Sequence, residues 1–149
     1  MKQKNLDSPD KDKLVDIINT LQVNISDLQE HKGLSIEEYI SDSNRMARKA
    51  IRGTFIESAE ACVRAIDILL GYVVDSRPNN RKEKFKLAHR EDLISKDLRD
   101  DMLSAVGFRD VLAHKYGAVI DHSLVHEAVQ NDVDKYSEVV SVLRDYVQD

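Results

Sequence analysis

The sequence predicts an all-α protein: an antiparallel up-down helical bundle of four main helices plus one short helix. Three observations lead there. Apolar residues recur at the spacing of one helix face in every long segment, and no run alternates with the period of two that marks a half-buried strand. Helix breakers are scarce, with two prolines and five glycines in 149 residues. A chain of this length is the size of one ordinary domain, expected to span residues 1–149, with residues 1–9 flexible.

The first helix is expected to open at Ser8-Pro9-Asp10, a capping residue followed by a proline at the first helical position. Its stripe is Leu14, Ile17, Ile18, Leu21, Ile25 and Leu28, and it ends before Gly33. The second opens at Ser35, where Glu38 completes a capping-box pattern. It pauses near Ser41-Asp42-Ser43 and runs to about Val74, with Ala47, Ile51, Phe55, Ser58, Cys62, Ala65, Leu69 and Val73 inside. Arg77-Pro78-Asn79-Asn80 reads as a turn. A short helix over 81–89 follows, anchored by Phe85 and Ala88. The fourth helix is expected from near Ser95 to about Tyr116, before Gly117. The fifth starts near Ser123 and carries Val129, Val133, Tyr136, Val140, Leu143 and Val147 toward the C-terminus.

Charge and composition narrow the function. The 22 Lys and Arg against 27 Asp and Glu give a net charge of −5, so contact with a nucleic acid has to come from a local basic patch. The one cysteine, Cys62, sits beside Ala61 and Ala65 in a helical pattern and reads as a small buried hydrophobe. The opening MKQKNLDSPDKDK has no apolar core of a secretory signal, and no apolar run approaches the ~20 residues needed to span a membrane. A cytoplasmic location is therefore expected. His122 and His126 are four apart with no third ligand nearby, so neither a metal nor a cofactor is expected.

Chemistry concentrates in Gly107-Phe108-Arg109-Asp110-Val111-Leu112-Ala113-His114-Lys115-Tyr116-Gly117. On a helical wheel at 100° per residue, Leu98, Met102, Ala105, Arg109, Leu112, Ala113 and Tyr116 share one apolar face. An arginine there keeps its charge and is costly to bury without a partner. Either it pairs with a carboxylate on another helix, such as Glu57, Glu60 or Asp67, or it lines a cleft and grips a phosphate with paired hydrogen bonds. His114 lies about 140° around the wheel from Arg109. The two meet only if the helix distorts before His114 or a second subunit contributes. Asp110, four residues before His114, is placed to hold the imidazole. His114 by itself also reads as a helix-terminal histidine favoured by the dipole; His31, His89, His122 and His126 read as surface residues. A basic patch, Arg45, Arg48, Lys49 and Arg52, lies on one side of the second helix. It is either a solvated face or a surface that grips an RNA backbone.

Arg109, four residues, His114, one residue and Tyr116 together resemble the R-x4-6-H-x-Y signature of HEPN proteins, in the form seen in the HepT-like family. The resemblance covers about residues 35–147. Where the family commonly carries Asn, this chain has Asp110, which keeps an acceptor and adds a negative charge. The resemblance implies a homodimer with both motifs facing one cleft, and metal-independent cleavage of single-stranded RNA by attack of the 2′-hydroxyl on the adjacent phosphate. It implies that His114 is the acid/base group, suited because histidine titrates near neutrality. It implies that Arg109 binds the scissile phosphate, while Asp110 and Tyr116 shape the site. An MntA-like nucleotidyltransferase antitoxin is the implied partner, with Tyr116 the residue it modifies with AMP. The alternative is a non-catalytic HEPN module that pairs with a nucleotidyltransferase and cuts nothing.

Overall fold

The computed structural model describes residues 6–114 and 121–148, all helix, turn or loop. Helix α1 spans Ser8–Gln29. The second predicted helix is divided: α2 spans Ile36–Ile40, a 3-10 turn spans Asp42–Asn44, and α3 spans Arg45–Leu70. Helix α4 spans Arg81–Arg90, α5 Lys96–His114, α6 His122–Asn131 and α7 Asp134–Val147.

Local chemistry sets most of these boundaries. Asp7, one residue earlier than expected, caps α1 by accepting from the Asp10 N–H at 2.9 Å. The capping box is formed, with Ser35 and Glu38 bonded in both directions. Asn80 caps α4 by accepting from the Glu83 N–H. The predicted fifth helix is two helices, interrupted at Asp132 and Val133. No proline or glycine marks that break. It arises because α6 packs on α2 while α7 packs on α1 and α5, so one straight rod could not serve both seats.

Helix α3 is the central rod, touching α1, α4, α5 and α7. The core is aliphatic and alanine-rich along it: Ile51, Phe55, Ala59, Ala61, Cys62, Ala65, Leu69 and Leu70 are all buried. Burial pushes the Cys62 thiol up to about 12, as expected for a hydrophobe rather than a reactive group. Helices α1 and α3 run antiparallel. Asn24 of α1 reaches Glu57 and Ser58 of α3 at 3.0 Å each, while at the other end the Tyr72 hydroxyl accepts from the Asp7 N–H at 3.1 Å and donates to Asp10 at 2.5 Å. Leu6, just ahead of this contact, is also buried.

Candidate functional site

Helix α5 delivers the Arg109–His114 pair, and its core side fits the wheel: Leu98, Met102, Ala105 and Leu112 are buried. Arg109 is turned toward α3 and α4, its side chain only 14% exposed. Of the three carboxylates proposed as its partner, Glu60 is the one it meets, with Nε 3.4 Å from Oε1. Glu57 is engaged by Asn24, and Asp67 by Lys84 and Arg77. Glu60 is already held by a closer donor. Arg81 grips it with Nε on Oε1 at 2.6 Å and Nη2 on Oε2 at 3.0 Å. Those bonds, more than the charges of Arg81, Arg109 and Arg64, hold the Glu60 carboxyl below its usual range against the opposing effect of burial. The contact with Arg109 is therefore a charge pairing without a hydrogen bond, and its buried Nε has no hydrogen-bond acceptor. Sequence reasoning missed Arg81, because nothing in spacing links residues 60 and 81.

Asp110 does not take the role expected of it. Its carboxylate accepts from Arg109 Nη1 at 3.0 Å rather than from His114, because a full guanidinium charge next door outcompetes an imidazole one turn away. Helix α5 continues through His114, so it does not distort before that residue. His114 is exposed, and the partners of Arg109 are Glu60 and Asp110, not His114. Tyr116 lies outside the described residues.

One member of the α3 basic patch reaches the end of α5. Arg52 donates to the Leu112 carbonyl from Nε at 3.1 Å and Nη2 at 2.8 Å, occupying one of the carbonyls left over at the end of α5. Lys49, Arg52, Gly53, Ile56 and Ala113 line a cleft of about 490 Å³. Arg48 instead has a structural job: its Nη1 donates to the Tyr39 and Ser41 carbonyls at 2.7 Å each, fastening the α2 turn to α3. Arg45 and Lys49 are exposed. Two histidines expected at the surface are bonded instead. His126 Nε2 lies 2.7 Å from the Leu34 carbonyl, and His89 Nδ1 3.2 Å from that of Ile94. Among the described residues, no group of three or more His, Cys, Asp and Glu is placed to hold a metal ion.

A family whose description is "ribonuclease HepT-like" matches residues 21–143, most of the chain. The chain belongs to the HepT-like family. The match begins within α1, earlier than the signature suggested, and takes in the entire α3–α5 site. No curated protein matches the sequence. Solved structures agree on the fold. A tri-AMPylated Shewanella oneidensis HEPN toxin in complex with an MNT antitoxin is 19% identical, with a TM-score of 0.79 over 90% of this chain and 98% of that one. A variant of the MntA–HpeT toxin–antitoxin pair is also 19% identical, with a TM-score of 0.76 and the same coverage. A toxin–antitoxin structure with AMP-PNP is 18% identical, with a TM-score of 0.75. The HepT-like chain thus has a HEPN fold. No helix among its described residues is long and apolar enough to cross a membrane.

Proposed function

We propose that this HepT-like protein is the toxin of a toxin–antitoxin pair, a homodimer that cuts single-stranded RNA without a metal ion. The observation that carries the reading is the exposed imidazole of His114, one residue beyond Ala113 on the wall of a cation-lined cleft. The reaction needs one proton taken from the attacking 2′-hydroxyl and one given to the departing 5′-oxygen. The new bond joins O2′ to phosphorus, the phosphorus–O5′ bond breaks, and a cyclic phosphate end remains. Two His114 side chains, one from each subunit, supply a base and an acid. Arg109 stabilises the charge gathering on the phosphate oxygens. Its tie to Glu60 is no obstacle to that role, since the fork of Arg81 leaves Arg109 oriented but incompletely bonded. An MntA-like nucleotidyltransferase antitoxin silences the protein by adding AMP at Tyr116, placing bulk and negative charge where RNA enters.

A second reading is favoured by the two carboxylates of Glu60 and Asp110 against Arg109: a non-catalytic dimer that pairs with a nucleotidyltransferase. Expression in a bacterial host separates the two. Wild type arrests growth, and His114→Ala does not. Purified wild type cleaves RNA with or without EDTA, and Arg109→Ala is slower by about 10²–10³. Equal growth of both strains with soluble dimeric protein would leave the binding module standing.

A further inference from the structure

Beside the cleft lies a second, smaller pocket of about 200 Å³ between the start of α3 and the start of α6. Tyr39 and Val125, both buried, form its floor, Arg45, Lys49 and Arg52 its side, and His122 its rim. Arg48 also lines it, with its guanidinium committed to the Tyr39 and Ser41 carbonyls. Among the described residues, no carboxylate lines the pocket. Two acids adjacent in sequence to the lining are turned to their own helices: Glu38 accepts from the Ser35 N–H at 3.0 Å, and Asp121 from the Ser123 N–H at 3.0 Å and its hydroxyl at 2.6 Å. In a chain of net charge −5, this concentration of cations without acids marks a place for an anion.

Size and continuity identify the anion. At about 200 Å³ the pocket is smaller than the roughly 300–1,000 Å³ of sites that engulf a whole small molecule, so it suits one unit of a longer chain. Lys49 and Arg52 line both this pocket and the cleft next to His114. One cationic track therefore runs from α6 to the end of α5. The exposed His122 ring, packed edge-on to Tyr39 with centroids 6.1 Å apart, offers a face on which an unpaired base can stack. We infer that this pocket is a subsite for a flanking nucleotide of single-stranded RNA, with Arg45 and Lys49 on the phosphodiester and His122 under the base. The inference rests on the RNA-cleaving reading but is tested by binding rather than turnover.

The test uses the full chain carrying His114→Ala and a fluorescein-labelled oligouridylate of about ten nucleotides, followed by fluorescence anisotropy across a salt series. Adding Arg45→Ala and His122→Ala weakens binding about tenfold. The slope of log affinity against log salt falls by about 0.7 for each phosphate that is no longer neutralised. Lys86→Ala, an exposed side chain on α4, changes neither, and thermal melts confirm that the variants fold. Unchanged affinity in the Arg45/His122 variant overturns the subsite, as does a parent protein that binds no oligomer. Displacement of the oligomer by inorganic phosphate as effectively as by unlabelled oligouridylate overturns its assignment to a strand. Cleavage by the wild type without pocket-dependent binding leaves the nuclease and removes the subsite. Pocket-dependent binding without cleavage does the reverse.

Discussion

Arg109 illustrates how one side chain's role depends on what its partner is already doing. Glu57, Glu60 and Asp67 are equally good candidates in sequence, since intervals of three and seven residues leave them on one broad side of α3. Only the packing distinguishes them. Helix α1 engages the first and α4 the last, leaving Glu60 to stand between Arg81 and Arg109. Glu60→Gln keeps the shape and removes the charge. With Glu60 about one-third exposed, the expected loss is about 1 kcal/mol at neutral pH, or roughly 2–4 °C in Tm. The pH dependence has a definite sign. The folded carboxyl titrates below its unfolded value of about 4.3, so its contribution is complete above that pH and disappears as pH falls through the folded value. Melting curves of both proteins from neutral to acid pH should converge at the acid end. A constant gap would show that Glu60 acts through something other than its charge. The loosened Arg109 should also lower RNA cleavage.

At the level of the helices, periodicity and capping made most of the bundle legible. The pause near Ser41–Ser43, the capping box at Ser35 and the short helix after Asn80 are all present. The break between α6 and α7 was not legible, because neither a breaker residue nor a change of period announces it. The Arg109–His114 segment was legible in residue type but not in orientation. A wheel shows that Arg109 and His114 diverge, yet not which neighbour each one meets. Asn24 was overlooked for a related reason. It falls on the buried stripe of α1, where a polar residue looks like an exception, but its amide donates to both Glu57 and Ser58, and Ser58 donates onward to the Thr54 carbonyl at 2.8 Å. Asn24→Ala should therefore cost about 1–2 kcal/mol, roughly 3–6 °C in Tm, read by calorimetry. A change below one degree would mean that the α1–α3 seam does not need this bond.

Across the whole molecule, features far apart in sequence gather at one end. Ile40, Met46, Val111 and Leu124 are exposed at 47%, 67%, 41% and 49%, and they belong to the four helices that bound the basic pocket and the His114 cleft. Uncovered side chains of this kind are what the two-fold neighbour of the proposed dimer would shield. Val111→Arg, one turn from His114, is expected to convert the proposed dimer into a chain of 17.0 kDa in light scattering and to abolish the proposed cleavage while leaving the circular dichroism intact. A variant that stays dimeric and active would place the interface elsewhere.

The Tyr72 hydroxyl, bonded to both Asp7 and Asp10, moors the front of the chain just past the C-terminal end of α3. Arg52 lies twenty residues earlier, about 30 Å along a helix rising 1.5 Å per residue. Anything spliced ahead of Leu6, whether a purification handle or a biotin for surface capture, leaves from the pole remote from the cationic track. Immobilising the protein by that pole would present the cationic track to the flowing solution.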